Sequence, residues 1–153
     1  MPLQPRVTVV IPCRNDAEFL RPCLQALAAQ IRPADRIVVV DNGSTDESAS
    51  VARAFGAEVV REEVVGIWPA AARGYDEAMG SCDIIARIDA DSRPHPDWIA
   101  RIGRAFVADS GLGVLTGGAE FYGASPVVNY LGDHWYVGGG HYWIKKFLGI
   151  PLV

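Results

Sequence analysis

Two aspartates one residue apart, Asp89 and Asp91, follow an apolar run at residues 84–88 that only Arg87 interrupts. The run is rich in β-branched residues and predicts a buried strand that ends at the acids. If the extended geometry continues through both aspartates, their carboxylates point to the same face and repel each other unless a cation lies between them. Such a site suits Mg²⁺ or Mn²⁺ and leaves positions for phosphate oxygens. Taken alone, such a pair is more often an ordinary solvated strand exit.

Three loops with polar side chains are expected to meet at one edge of the predicted sheet. Each directly follows a predicted strand, and ligands bind outside the carboxyl ends of the strands in parallel sheets. The loops are residues 12–16, 41–46 and 89–93. Because the three loops are expected to converge, Asp89 and Asp91 are more significant than acids at an ordinary strand exit.

The side chains that surround this edge are acids and arginines. Asp41 ends one predicted strand, and Arg14 follows another that ends at Pro12. Arg73 is expected near the start of a helix and therefore near the same edge. Acids accept hydrogen bonds from base N–H groups and ribose hydroxyls, a metal on Asp91 neutralises a diphosphate, and an arginine adds a charged donor. The set therefore fits a nucleoside diphosphate.

Alternating strands and helices are predicted to hold these loops. Right-handed crossovers between such elements build a doubly wound, mostly parallel sheet with helices on both faces, so the fold class is α/β and Rossmann-like. Ser44 and Glu47 have capping-box spacing for the start of the second helix. The predicted strands are residues 7–12, 36–41, 57–60, 84–89 and 113–118.

The chain divides into a predicted core, residues 1–120, and an aromatic, glycine-rich tail, residues 121–153. An aromatic segment with Lys145 and Lys146 can lie on a bilayer surface, and the alternative is that it packs against the sheet or a partner segment. The N-terminus does not resemble a signal peptide, and the sequence has no apolar run long enough for a membrane span.

Composition and missing motifs exclude several classes of protein. A net charge of -4 argues against a nucleic-acid-binding face. The cysteines are odd in number and match no zinc spacing, which indicates reduced thiols in a cytoplasmic protein. They are Cys13, Cys23 and Cys82. The sequence contains neither a G-x-G-x-x-G nor a G-x-x-x-x-G-K-[ST] motif, and it has no G-x-S-x-G elbow. A dinucleotide dehydrogenase, a P-loop NTPase and an α/β-hydrolase are therefore disfavoured.

Four segments, in order, resemble the family 2 glycosyltransferases with the GT-A fold. They are VTVVIPCRND, VVVDNGSTDES, the stretch from Gly66 to Ala72-Arg73, and RIDADSRPHPDW, and together they span about residue 7 to about residue 118. The resemblance implies a metal-dependent enzyme that transfers a sugar, usually with inversion, from a nucleotide-diphosphate donor of the UDP or GDP type. The implied acceptor is a hydroxyl of a carbohydrate or of a lipid-linked molecule. The commonest setting is the synthesis of cell-envelope polysaccharide or glycolipid.

The resemblance also implies roles around the nucleotide, residue by residue. Asp41 corresponds to the acid that binds the base, and Pro12 and Arg14 line the same pocket. Arg73 corresponds to the arginine beside the base and the phosphates. Asn42 departs from the family pattern, which usually has a second aspartate there, and the change leaves Asp41 in place.

The metal-binding roles fall on the late acids. Asp89 corresponds to the acid near the ribose and the metal, and Asp91 to the ligand that holds the metal, Mg²⁺ or Mn²⁺, against the diphosphate. The general base of this family comes from a segment well beyond the D-x-D pair, and the chain is expected to stop before it. Neither Glu120 nor Asp133, the late acids, lies in a matching motif, so the catalytic base stays unknown.

Two other functions are compatible with the sequence. One is a non-catalytic module that binds a nucleotide sugar and needs another chain to act. The other is a nucleotidyltransferase, which is expected to carry a glycine-rich basic loop after the first strand, whereas residues 13–18 contain no glycine. The expected location is the cytoplasm, with peripheral contact at the inner face of a membrane as a variant of that expectation.

Overall fold

The structure is a computed structural model that describes residues 4–117 and 125–126 of the 153-residue chain. The chain divides into two compact units, Met1–Leu112 and Gly113–Val153, and every helix and strand named below lies in the first. In order, these elements are β1 (Val7–Cys13), α1 (Ala17–Ala28), β2 (Arg36–Asp41), α2 (Ser48–Ala54), β3 (Glu58–Arg61), α3 (Ile67–Ala78), β4 (Ile84–Arg87) and α4 (Trp98–Ala108).

The four strands form one parallel sheet in the order β3-β2-β1-β4. The chain moves outward from β1 to β3 and then returns to the other side of β1. Because parallel crossovers are right-handed, the helices on the outward path must lie on one face and the returning helix on the other. This confirms the predicted α/β fold, with helices on both faces of a doubly wound sheet.

Two apolar layers match this arrangement. One layer contains the odd-numbered side chains of β1 together with buried residues of α1, α2 and α4. The other contains Val10, Val38 and Val40, which pack with Ala70 and Ala78 of α3. Alternate side chains of a strand point to opposite faces, so the continuous apolar runs of β1 and β2 supply both layers. The order of helices and strands thus follows directly from the apolar pattern.

Strand β4 differs from the prediction of a buried strand that reaches Asp89. It ends at Arg87, and its burial alternates, with Ile85 36% exposed between two buried neighbours. β4 lies at the edge of the described sheet, where only one neighbour, β1, pairs with it. The chain then turns, and the Ser92 N–H donates to the Asp89 carbonyl at 3.0 Å. The extended geometry therefore does not continue through the two acids.

The start of α2 also differs from the prediction. Ser44 and Glu47 form no capping box, because the helix begins at Ser48 and its N-cap residue, Glu47, makes no side-chain capping hydrogen bond. Asp46 instead accepts hydrogen bonds from the Ser48 N–H at 3.0 Å and the Ser48 hydroxyl at 2.6 Å. The Ser44 hydroxyl is used elsewhere, since it accepts a hydrogen bond from the backbone N–H of Asn15 at 3.1 Å.

The predicted fifth strand does not form within the described residues. Residues 113–117 have no regular secondary structure, and Val114 and Leu115 are 78% and 45% exposed. Within the described residues, no neighbouring element buries these side chains, and the apolar run does not form a strand. Most of the predicted tail, residues 121–153, lies outside the described residues. In the described ranges, no helix is both long and apolar enough to cross a membrane.

Candidate nucleotide-binding site

A cleft of about 250 Å³ opens at the carboxyl edge of the sheet. One side is the loop that follows β1, the other is the start of α3, and a residue directly after β2 lies between them. The cleft is lined by Pro12, Cys13, Arg14, Asp16, Asn42, Gly66, Ile67 and Ala70. The parallel strands bring the predicted loops 12–16 and 41–46 together here, as the sequence indicated.

Backbone hydrogen bonds to side chains lock these two loops to each other. Asn15 has a left-handed backbone, with φ of 54°, and its side-chain oxygen accepts a hydrogen bond from the Thr45 N–H at 2.7 Å. The Asp16 N–H donates to the Ser48 hydroxyl at 3.1 Å. Asp46 then accepts from the Ala17 N–H at 3.0 Å and so satisfies a free donor at the start of α1. The backbone of the cleft wall is therefore fixed before any ligand arrives.

Asp41 lies beside the cleft and does not line it. Its side chain is 9% exposed, one oxygen accepts a hydrogen bond from the Ser44 N–H at 2.9 Å, and the other lies 3.7 Å from an Arg61 guanidinium nitrogen. Within the described residues, the carboxylate is thus already engaged in shaping the turn after β2. The neighbouring Asn42, which stands where the family pattern usually has a second aspartate, is the residue that reaches the cleft.

Asn42 is the functional candidate that sequence reasoning missed. Its side-chain amide donates to the carbonyls of Glu62 at 3.0 Å and Val64 at 2.7 Å, and its oxygen accepts from the Gly66 N–H at 2.7 Å. It is only 3% exposed. The one signal in the sequence was an amide where the family pattern has an acid, since an ionised carboxylate cannot donate a hydrogen bond.

The acids after β4 lie at the same edge of the sheet and are open to solvent. Asp89 and Asp91 are exposed, and the buried Ala90 between them fixes the turn. Arg87 donates to one oxygen of Asp89 at 2.9 Å. The Cys23 thiol of α1 lies 3.8 Å from the Asp89 carbonyl and so joins this turn to the core. Within the described residues, Arg87 is the one cation paired with these acids, and both carboxylates remain accessible to solvent.

This donor set fits a divalent cation that is held partly by phosphate. Mg²⁺ is usually bound through one or two carboxylates and substrate phosphate oxygens. Asp89 and Asp91 supply two carboxylates, and within residues 4–117 and 125–126 no group of three or more His, Cys, Asp or Glu side chains is placed to hold a metal. Among the described residues, these two carboxylates are too few to complete a cation site by themselves, and they fit a cation that also binds phosphate oxygens.

The two buried cysteines near the site are unreactive thiols. Burial raises the pKa of Cys13 to about 11 and that of Cys23 to about 12. The negative charge of Asp91 adds to the rise at Cys23. Because the thiolate is the nucleophile, neither side chain serves covalent catalysis at neutral pH. All three cysteines are free, as predicted from their spacing.

The two predicted arginines occupy different places. Arg14 is exposed and lines the cleft, where its guanidinium can reach an anionic ligand. Arg73 lies in the middle of α3 rather than near its start, and it pairs with Glu77 at 3.3 Å, one turn towards the helix C-terminus. Glu77 also accepts from Arg36 at 3.2 Å. In this arrangement Arg73 is directed away from the cleft.

A four-stranded parallel sheet with helices on both faces, with a cleft and exposed acids at its carboxyl edge, defines a Rossmann-like α/β protein. The family model described as "Glycosyl transferase family 2" matches residues 8–147. The chain therefore belongs to glycosyltransferase family 2, and its fold is of the GT-A type.

Relatives and solved structures agree with this assignment. Glycosyltransferase AglE of Haloferax volcanii is 33% identical over 125 residues, which are 76% of this chain and 40% of the relative. A "PGL/p-HBAD biosynthesis glycosyltransferase" of Mycobacterium tuberculosis is 32% identical over 69% of this chain and 43% of its own length.

Among solved structures, glucosyl-3-phosphoglycerate synthase from Mycobacterium tuberculosis, in complex with Mn²⁺, UDP and glucosyl-3-phosphoglycerate, is 28% identical, with a TM-score of 0.54. The match covers 63% of this chain and 37% of that one. A second structure of the same synthase holds Mg²⁺ and UDP. The chain thus spans well under half the length of the relatives it matches.

Proposed function

We propose that this chain forms the donor-binding part of a metal-dependent glycosyltransferase that transfers a sugar from a nucleoside-diphosphate sugar to an acceptor hydroxyl with inversion. One observation carries the proposal. The loop after β1, Asn42 after β2 and the start of α3 form a single cleft, and Asp89 and Asp91 lie exposed at the same edge of the sheet. A nucleoside needs such a cleft, and a diphosphate needs acids that can share a cation with it.

The nucleoside is proposed to bind between Pro12 and the start of α3. Arg14 at the rim donates to the ligand, and Asp41 supports the turn behind Asn42, since its own oxygens already bind Ser44 and approach Arg61. The synthase structures that contain UDP support a uridine nucleotide as the first donor to test. A GDP-linked donor is the alternative.

Arg73 takes part in this proposal only if it leaves Glu77. The ion pair is partly exposed, with 41% of the Arg73 side chain accessible. Partly exposed pairs of this kind are worth less than about 1 kcal/mol, so a diphosphate can compete for the guanidinium. We therefore propose that Arg73 turns from Glu77 towards the phosphates when the donor binds.

The reaction forms a bond from the acceptor oxygen to the anomeric carbon while the bond from that carbon to the diphosphate oxygen breaks. Asp91, with Asp89, would hold a divalent cation, and that ion would supply charge neutralisation for the leaving nucleotide. Arg14 and Arg73 add hydrogen-bond donors to the same phosphates. The acceptor proton passes to a base that is not assigned to any residue of this chain.

The proposed acceptor is a carbohydrate or a lipid-linked molecule, and the proposed setting is cell-envelope synthesis in the cytoplasm or at the inner face of a membrane. The mycobacterial relative named for PGL/p-HBAD biosynthesis supports that setting. Nucleic acid is not a proposed partner, since the net charge of the chain is -4.

Calorimetric titration of the chain with UDP and GDP, with Mn²⁺ and after chelation, tests the donor site. We expect binding that requires Mn²⁺ and that is lost in Asp91→Ala. Asp76→Ala is the matched control, because Asp76 is an exposed acid on α3 outside the cleft lining. Absence of nucleotide binding under every condition contradicts the proposal. Binding without sugar transfer supports instead a module that needs further protein to act.

A further inference from the structure

Three backbone groups of the loop between β3 and α3 form hydrogen bonds with one side chain, that of Asn42. The Glu62 and Val64 carbonyls accept from the Asn42 amide, and the Gly66 N–H donates to the Asn42 oxygen, over distances of 2.7 to 3.0 Å. Among uncharged side chains, only asparagine and the longer glutamine offer two donors and an acceptor on one planar group. The loop is therefore held by the full capacity of a single amide.

Within the described residues, few other contacts hold this loop to the core. Val64 and Val65 are 63% and 57% exposed, so their side chains contribute little packing. The Glu62 N–H donates to the Asp41 carbonyl at 3.0 Å, which fixes only the beginning of the loop. Its end at Gly66 has φ of 146°, and a side chain there would crowd Pro69 at 3.2 Å. The path of the chain into α3 thus depends on the contacts of Asn42.

Asn42 is also bonded to the opposite wall of the cleft. Its backbone N–H donates to the Cys13 carbonyl at 2.9 Å, at the end of β1. Cys13 lines one side of the cleft and Gly66 the other. One residue, 3% exposed, therefore bridges the two walls and sets the distance between them.

We propose that Asn42 is a positioning residue that sets the width of the nucleotide cleft, and that nucleotide affinity depends on both of its amide donors. This rests on the function proposed above. An aspartate at this position has nearly the same shape and no donor when ionised, so two buried carbonyls would face a carboxylate. The loop, and with it the α3 wall, would then move away from β1.

The test compares Asn42→Asp with Asn42→Leu in UDP titrations with Mn²⁺, at neutral pH and at about pH 5. At neutral pH we expect both variants to bind UDP about tenfold more weakly or worse, since two or three hydrogen bonds are lost. Acidification protonates part of the new carboxylate and restores one donor, so Asn42→Asp should recover affinity relative to wild type, and Asn42→Leu should not. Equal affinity of wild type and Asn42→Asp at neutral pH, or equal pH response of the two variants, overturns the proposal.

Two controls separate this result from a general loss of stability and from failure of the proposed function. Ile99→Val removes a methylene from the core on α4 and should lower the unfolding midpoint without changing UDP affinity. Hydrogen exchange at the Gly66 amide reports on the loop without any nucleotide. We expect a protected amide in wild type and faster exchange in both Asn42 variants. If wild type binds no nucleotide, the proposed function fails while exchange still tests the loop, and unchanged exchange there overturns the role of Asn42.

Discussion

Asp46 accepts a hydrogen bond from the backbone N–H of Ala17 at 3.0 Å, although 29 residues separate them. The same carboxylate accepts from Ser48, at the start of α2. A single acid therefore serves the first turns of two helices, α1 and α2, whose preceding loops meet beside the cleft. Neither helix has a side-chain cap from its own N-cap residue. The cap of α1 comes from a residue distant in sequence, and the cap of α2 comes from the residue before its N-cap.

Replacement of this acid should destabilise both helix starts. We expect Asp46→Ala to lower the free energy of unfolding by about 1–2 kcal/mol, in the range measured for loss of an N-cap. Glu47→Ala is the matched control, because Glu47 is an adjacent exposed acid without a capping hydrogen bond from its side chain. Urea denaturation measures both variants, and an equal loss of stability in the two would contradict the assignment.

Acid should destabilise the protein through three aspartates with lowered pKa values. The Ser48 hydroxyl lowers the pKa of Asp46, the Arg6 N–H that of Asp83, and the Arg101 guanidinium, with His95, that of Asp97. On acidification, the unfolded chain takes up protons at a higher pH than the folded chain does. The stabilising contribution of these aspartates is therefore complete well above their ordinary pKa of about 3.9, and it is lost as the pH falls below that value.

The pH response can be measured by urea midpoints at about pH 5 and about pH 3. Wild type should have the lower midpoint at the more acid pH. Asp97→Asn should show a smaller difference between the two midpoints, because its contribution no longer titrates. Asp109→Asn, at the end of α4, is the control, since the only described partner of that side chain is the nearby Gly111 N–H. A midpoint that rises on acidification would refute this explanation.

Gly74 allows α3 to pack closely on the sheet. A Cβ built at this position would overlap the Val10 side chain and lie 3.0 Å from Val40. Alanine normally stabilises a helix interior by about 1 kcal/mol relative to glycine, yet here overpacking should win, and Gly74→Ala should destabilise the protein by about 1–3 kcal/mol.

The same substitution at Gly103 of α4 is the matched comparison for Gly74. Its nearest neighbour would be the guanidinium end of Arg32, a flexible side chain that can move. We expect Gly103→Ala to change the free energy of unfolding by less than about 1 kcal/mol. Chemical denaturation of both variants, and of Gly74→Ala combined with Val10→Ala, measures the effect. If the double variant is destabilised by as much as the two single variants together, overlap with Val10 is not the cause of the destabilisation.

Arg87 should weaken the binding of free metal ions. Its guanidinium lies 2.9 Å from Asp89, so one positive charge sits at the proposed cation site. For a doubly charged ion about 6 Å from that charge, Coulomb's law in a water-like medium gives roughly 1.4 kcal/mol, or about tenfold in affinity. Arg87→Met should therefore bind Mn²⁺ about tenfold more tightly in the absence of nucleotide.

Titration of Mn²⁺ followed by electron paramagnetic resonance measures this affinity directly. Arg53→Met is the matched control, because Arg53 lies in the last turn of α2 and its loss changes the net charge by the same amount. Since helices run opposite to the strands in this sheet, that turn lies far from the carboxyl edge. Equal gains in the two variants would show an effect of net charge alone.

Apolar patterning in the sequence determined the architecture. Continuous runs such as residues 7–12 fit only strands buried on both faces, and alternation with helical periods led to the parallel sheet and to loops 12–16 and 41–46 at one edge. These inferences held because the apolar pattern of each element is local in sequence, and burial of that pattern does not depend on exact side-chain contacts. The family motifs then identified a glycosyltransferase without reference to any side-chain contact.

Tertiary structure alone decided which polar groups pair. Ser44 was expected to cap its own helix, yet it binds Asn15, while Asp46 caps a helix from another part of the chain. Arg73 was expected at the cleft, yet it pairs with Glu77. Hydrogen bonds require donor and acceptor positions that are correct to a few tenths of an ångström, often between residues far apart in sequence, and spacing along the chain carries no such information. For the same reason the amide of Asn42, which ties the two walls of the cleft together, became visible only in the folded chain.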